Sequence, residues 1–273
     1  MDDDAKKIFL SCLPDLPEDN LLKANYQILL DVYPDSEWTD ICSALDAIAG
    51  LVGTYLEKNN SLLSNLNVIS EILYDIIGFR GSYDNYYNPD NSFIHKVLET
   101  NTGIPISLTL LHIEICRRLG IYMVPIGMPG HMLIGTLDEP DIFIDVYNKG
   151  IVKSASECKM LFHQILGQSA VWQSSYLLPM DNKDFIARML RNLKHIYIHN
   201  QNHSSAVAMM NKLILLFPDD PIEHRDRGIT NFYQNELQKS LIDLKRYAEL
   251  GINYQESVNI DSIIQFLEKE TGG

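Results

Sequence analysis

The chain predicts a mostly helical α+β fold, and three observations carry that reading. Apolar residues recur at helical spacing through the first 80 positions. One later segment, 106–119, is apolar on nearly every face, the mark of a buried helix. Three short extended runs follow it, 121–126, 131–137 and 142–147, divided by Gly127, Pro129-Gly130 and Asp138-Glu139-Pro140-Asp141, and they read as a small antiparallel sheet.

The elements follow in order. Leu21, Leu22, Ile28 and Leu29 mark a first helical stripe. Pro34-Asp35-Ser36 breaks it and offers an N-cap to the next, marked by Ile41, Leu45, Ile48, Leu51, Val52, Tyr55 and Leu56. A further helix over about 61–77 ends at Gly78, a C′ residue. Residues 78–92, rich in Gly, Asn, Asp, Pro and Tyr, read as a loop. Arg117, Arg118 and Gly120 close the buried helix with positive charge and a stop. After a helical connector, 187–247 returns to helix. Three regions result: an N-terminal helical region, 1–85, packing on the core; a core, 86–180; and a helical tail, 181–273.

Composition narrows the function. Hydrophobic residues make up 46% and charged residues 21%, as in globular proteins. The net charge of −14 and a pI near 4.9 argue against binding nucleic acid, which requires a basic field to neutralise phosphates. Cys12, Cys42, Cys116 and Cys158 are widely spaced, with neither a zinc-type pair nor a disulfide framework, and fit a reducing cytoplasm. The acidic start, Met1-Asp2-Asp3-Asp4, is unlike a signal peptide, and no run approaches the ~20 apolar residues that span a bilayer. His95 with Glu99 and His112 with Glu114 lack a third ligand at a metal-site spacing, and glycine-rich phosphate loops are absent. The expectation is a cytoplasmic protein with no metal, no cofactor and no membrane contact.

Thr102-Gly103-Ile104-Pro105-Ile106-Ser107-Leu108, a helix running to Leu119-Gly120-Ile121, Pro129-Gly130-His131 and Ile144-Asp145 together resemble the core of the transglutaminase-like superfamily, a cysteine-protease-like fold. The resemblance implies a Cys-His-Asp triad whose cysteine opens the helix. His131 and Asp145 match the last two members, and Pro105 stands where the cysteine would be. Asn88-Pro89-Asp90-Asn91-Ser92-Phe93, Met128-Pro129-Gly130-His131 and Arg225-Asp226-Arg227-Gly228 narrow the likeness to the SirB-type family. Those bacterial proteins join such a core to a short tetratricopeptide-like tail, and the likeness covers roughly 40–268. In the tail, Leu193, Tyr197, Ala206, Met210 and Pro218 fall near the repeat template, and Arg227-Gly228 and Ser240 return 34 residues on.

The alternation of the two later strands can be read independently. Met132, Ile134, Ile142, Ile144 and Val146 share one face, so His131 and Asp145 share the other. Opposed side chains lie ~4.5–5.5 Å apart at Cβ and diagonal ones ~7–8 Å. The two residues therefore meet if the connecting loop has an odd number of residues. An aspartate there fixes the histidine's tautomer, as a general base needs, although a purely structural hydrogen bond has the same signature. Ser107 is the nearest hydroxyl to position 105, but two residues at ~100° each turn it nearly to the opposite side of a helix. A cap or first-turn hydrogen bond is its commoner role. Cys116 lies inside the apolar helix, and nothing places Cys158 near His131.

Two functions lead, ahead of a structural or assembly role with no retained pocket, which the matched His131 and Asp145 disfavour. The first is a pseudoenzyme acting through protein contacts in a regulatory or scaffold role. The second is an acyl transferase or hydrolase using Ser107, His131 and Asp145. Arg188, Arg191 and His195 line one face of the first tail helix, with Lys194, Arg225 and Arg227 nearby. That cluster suits a protein partner bearing an acidic or carboxylate segment, or else it pairs with the core's own carboxylates. The oligomeric state stays open.

Overall fold

The computed structural model describes residues 3–13, 20–57, 59–251 and 260–272, and the chain divides into two compact units, Met1–Ile186 and Ala187–Gly273. The first unit opens with α1 (Asp3–Ser11), α2 (Asn20–Leu29), α3 (Trp38–Gly53) and α4 (Leu62–Ser70). The N-cap of α3 is Glu37, one residue past the Pro34-Asp35-Ser36 break, and its side chain makes no cap bond. Ser61 caps α4 by accepting from the Ser64 amide. The helix expected to run on to Ile77 instead widens into a π-helical turn, Glu71–Ile76, and Gly78 at φ +87° ends it. Such turns place one extra residue in the helical ladder and rotate the side chains beyond it.

After this turn come β1 (Arg80–Gly81), a 3-10 turn (Pro89–Ser92), α5 (Ile94–Thr100), β2 (Thr102–Gly103) and α6 (Pro105–Arg118). β1 and β2 form a short parallel pair. Every residue of α6 from Ile106 to Cys116 is buried, as its all-round apolar character requires. It packs against α2, α3, α5, β2, β3 (Val124–Ile126), β4 (Leu133–Gly135) and the 3-10 turn Val146–Asn148. Its one buried carboxylate, Glu114, is held by Arg118 at 2.6 Å and Arg117 at 3.0 Å, which offsets the cost of burying the charge.

The antiparallel sheet has the order β3-β4-β5-β6, with β5 at Phe143–Asp145 and β6 at Ile151–Lys153. The fourth strand extends the sheet past the three extended runs read from sequence. Ile134 pairs with Ile144 and Gly135 with Phe143, so seven residues, 136–142, connect the two strands. That odd count keeps odd positions on one face. Both faces are buried: Leu133 and Phe143 join Ile126, Met128 and the Cys158 and Phe162 of α7 (Ala155–Leu166), leaving Ile134 and Ile144 for the opposite face.

The second unit takes up α8 (Asn182–His199) from Ala187 onward, followed by α9 (His203–Leu216), α10 (Pro221–Tyr233), α11 (Leu237–Glu249) and α12 (Ile260–Thr271). A Cβ at Gly228 would lie 2.7 Å from Leu244 Cδ2, so glycine at that repeat position lets α10 and α11 approach closely. Leu241, Leu244 and Tyr247 then pack with Ile260 and Leu267 of α12.

Candidate functional site

The chain reaches the site through a tight turn. The His131 amide donates to Met128 O at 3.0 Å, and Gly130 adopts φ +78° where a Cβ would press on Ile165. This turn feeds His131 in just before β4, while Asp145 ends β5. The His131 Nε2 lies 2.8 Å from Asp145 Oδ1, and both residues are buried. Asp145 has two further donors, the Asn148 amide at 3.3 Å and Asn148 Nδ2 at 2.7 Å. Burial pushes this carboxyl's pKa up, but the hydrogen bond and charge of His131 outweigh it. Asn148 and Lys153 help, leaving Asp145 below the usual carboxylate value. Because Asp145 takes Nε2, Nδ1 is the nitrogen that would exchange a proton with a nucleophile.

Pro105 occupies the first position of α6, where its missing N–H costs nothing in helix hydrogen bonding. Ser107 is fully buried and engaged elsewhere. Its Oγ accepts from the Ile104 amide at 3.0 Å and lies 2.5 Å from Asn91 O and 3.1 Å from Ile104 O, so it ties the helix start to the 88–92 turn. The Asn88–Phe93 motif thus braces α6: Asn88 Oδ1 accepts from the Asp90 amide, and Asn91 O also accepts from the Ile104 amide.

Along α6, Pro105, Thr109, His112 and Cys116 fall on one face at ~100° per residue. His112 Nδ1 lies 3.0 Å from the Tyr74 hydroxyl on the π-helical turn. Burial lowers the His112 pKa to about 3 and raises that of Tyr74 well above its ordinary value, so both are neutral at physiological pH. The Tyr74 hydroxyl and Nδ1 thus share a neutral hydrogen bond, its direction set by the ring tautomer. Burial also pushes the Cys116 thiol up strongly and the Cys158 thiol to about 12, which makes both poor nucleophiles.

Sequence reasoning missed Tyr74 and Asn148. The Tyr147 ring, which alternation puts on the His131 face, meets His131 edge-on, with 6.2 Å between centroids. For Asn148, the signal was its spacing three residues beyond a buried aspartate.

The basic residues of the tail find carboxylates within the tail itself. Arg191 bridges Asp220 at 3.1 Å and Glu223 at 3.0 Å; Lys194, buried, meets Glu223 at 2.7 Å and Asp226 at 2.8 Å. Arg225 pairs with Asp226, and Arg227 forks onto Asp243 while donating to Asn211 at 2.7 Å. Arg188 is half-buried and His195 exposed. Two cavities accompany these features. One of about 590 Å³ in the first unit is lined by Leu21, Ile113, Tyr122, Met123 and Met180. The other, about 660 Å³ in the second, is lined by Asn211, Arg227, Asn231, Gln234 and Asp243. Neither includes His131 or Asp145.

Among the described residues, no helix is long and apolar enough to cross a membrane. Residues 39–191 match the family described as "Transglutaminase-like superfamily", and 193–262 match "Tetratricopeptide repeat". A "UPF0162 protein" of Xylella fastidiosa (strain Temecula1) is 28% identical over 247 residues, covering 89% of this chain and 87% of that one. "Protein SirB1" of Salmonella typhimurium is 26% identical over 225 residues, 75% of this chain and 77% of its own. "F-box only protein 21" of Mus musculus is 39% identical over 196 residues, covering 68% of this chain but 28% of that longer protein. No solved structure matches. With the matched core spanning more than half of its length and the repeat tail following, the chain belongs to the SirB-type family of the transglutaminase-like superfamily.

Proposed function

We propose that this chain is a non-catalytic member of its family, working through protein contacts in a regulatory or scaffold role. The observation that carries the reading is Pro105 at the first position of α6 in a chain that keeps an intact His131–Asp145 pair. A proline has no group to ionise, and the thiols of Cys116 and Cys158 are buried and pushed up. The serine alternative draws no support from Ser107, whose hydroxyl is committed to Ile104 and Asn91. The spacing of the cysteines favours the cytoplasm.

The tail supplies the contact surface, in line with its repeat match and its cavity. The ligand assigned to it is an acidic or carboxylate-bearing segment reaching Arg188, Arg191 and His195, with Arg225 and Arg227 on the neighbouring helix. Such a ligand competes with Asp220 and Glu223 for Arg191.

An amine-incorporation assay with a glutamine donor tests the first half. Wild type should be inactive, while Pro105→Cys should acquire a thiol that iodoacetamide alkylates faster than Cys158. Wild-type activity abolished by alkylation, or by Ser107→Ala, would overturn the reading. For the tail, a peptide ending in two glutamates should bind, and Arg188→Ala with Arg191→Ala should abolish binding at unchanged melting temperature. A lowered melting temperature with binding intact makes the cluster an internal clamp.

A further inference from the structure

Tyrosines crowd together beside His131. Tyr147, whose ring meets the histidine edge-on, has the Tyr83 ring 5.0 Å away, and Tyr86 and Tyr87 pack edge to face at 5.7 Å. Tyr83, Tyr86 and Tyr87 fall within five residues of one another on the same loop. Three of these rings face solvent: Tyr83 is 67% exposed, Tyr87 52% and Tyr86 37%. Large aromatic side chains left in water on one short segment mark a contact surface more often than a folding requirement.

The segment is built to present them. Gly81 leaves no room for a Cβ against the Tyr147 ring. The Tyr147 hydroxyl donates to Ser82 O at 2.9 Å, and the Tyr83 hydroxyl donates to Tyr147 O at 3.3 Å. Asn91 Nδ2 donates to Asn85 O at 2.7 Å, and the Asn88 amide donates to the same carbonyl at 3.1 Å. The tyrosines therefore stand on a braced loop, so little ordering remains to oppose binding.

Charge selects the partner. Residues 1–186 hold 25 acidic and 12 basic side chains, so nearly all of the net −14 belongs to the unit that carries the rim. Asp84 is exposed between Tyr83 and Tyr86. The faces of tyrosine rings attract cations, and a neighbouring carboxylate strengthens the preference for a guanidinium. An acidic field also steers a basic partner toward the surface.

We propose that the Tyr83–Tyr86–Tyr87 rim beside His131 is a docking surface for a basic protein segment, with an arginine side chain laid over the rings and paired with Asp84. This surface belongs to the core and does not rest on any ligand of the tail.

The test uses the full chain and a singly charged probe, acetyl-Gly-Ser-Arg-Ser-Gly-amide, with Glu and Leu versions in the Arg position. Tyrosine ring signals are followed by NMR. The Arg peptide should shift the rim tyrosines saturably, and the Glu and Leu peptides should not. Tyr87→Leu should weaken binding roughly 5-fold by removing a ring face, while Tyr87→Phe should keep it. Both variants leave the net charge untouched, so a general attraction of cations to an acidic protein would survive Tyr87→Leu. Equal binding of the Leu peptide would make the rim an apolar contact and overturn the proposal. Unchanged binding in Tyr87→Leu and in Tyr83→Leu, each with the wild-type melting temperature, would also overturn it.

Discussion

The Tyr74 hydroxyl faces His112 Nδ1 at 3.0 Å in the interior of the first unit, joining the π-helical turn to the middle of α6. The other ring nitrogen, Nε2, has no hydrogen-bond partner among the described residues. A second proton on this ring would place a charge in the core.

That arrangement predicts acid sensitivity well above the carboxylate range. The His112 pKa is about 3 in the folded chain against an ordinary 6.5, so between those values the unfolded chain binds a proton that the folded chain refuses. Stability is therefore full above pH 6.5 and falls as the pH drops toward 3, by at most about 1.4 kcal/mol per pH unit from this one group. Asp145, whose pKa is lowered by folding, adds a loss as the pH falls below the ordinary carboxylate value. Urea melts from pH 7.5 to 4.5 check this. His112→Gln should be less stable at pH 7.5 yet show a shallower decline from pH 6.5 to 4.5; a decline as steep as wild type would contradict the assignment.

Asp145 and Asn148 should prove coupled. Asp145→Ala removes the acceptor from His131 and from both Asn148 donors in a buried site, and should cost about 3 kcal/mol. Asn148→Ala removes one donor and should cost about 1 kcal/mol. A double-mutant cycle read by chemical denaturation should give a smaller combined loss than the sum of the two. Strict additivity would mean that Asn148 does not act through Asp145.

In the tail, two substitutions should act by different routes. Lys194→Ala leaves Glu223 buried without its nearest cation and should cost about 3 kcal/mol. Gly228→Ala forces a methyl against Leu244 and should cost about 1–3 kcal/mol. Melting followed by circular dichroism checks both losses; added salt should leave each nearly unchanged, the Lys194–Glu223 pair being buried, and a Lys194→Ala deficit that salt removes would contradict that assignment.

How much of this was legible depended on range. α6 could be read because all-round apolarity is local information, and the His131–Asp145 pairing could be read because period 2 and the loop's parity are local too. The π-helical turn was not legible, since one extra residue scarcely disturbs the apolar spacing over 61–77. β6 follows Lys149 and Gly150, both left-handed, and its three residues are too few to show alternation. The partners of Arg191 and Lys194 lie some thirty residues away on α10, where no local spacing points to them. Ser107 was weighed both ways from sequence; the distant carbonyl of Asn91, which fixes its orientation, was beyond local reading.

Proline at the start of α6 brings neither an ionisable side chain nor a backbone amide proton. A helix's first amides are the donors that elsewhere steady an oxygen gathering negative charge. Residue 105 contributes no such amide, because its nitrogen is closed into a ring. On the non-catalytic reading proposed above, one residue thus withholds both an ionisable group and an amide donor.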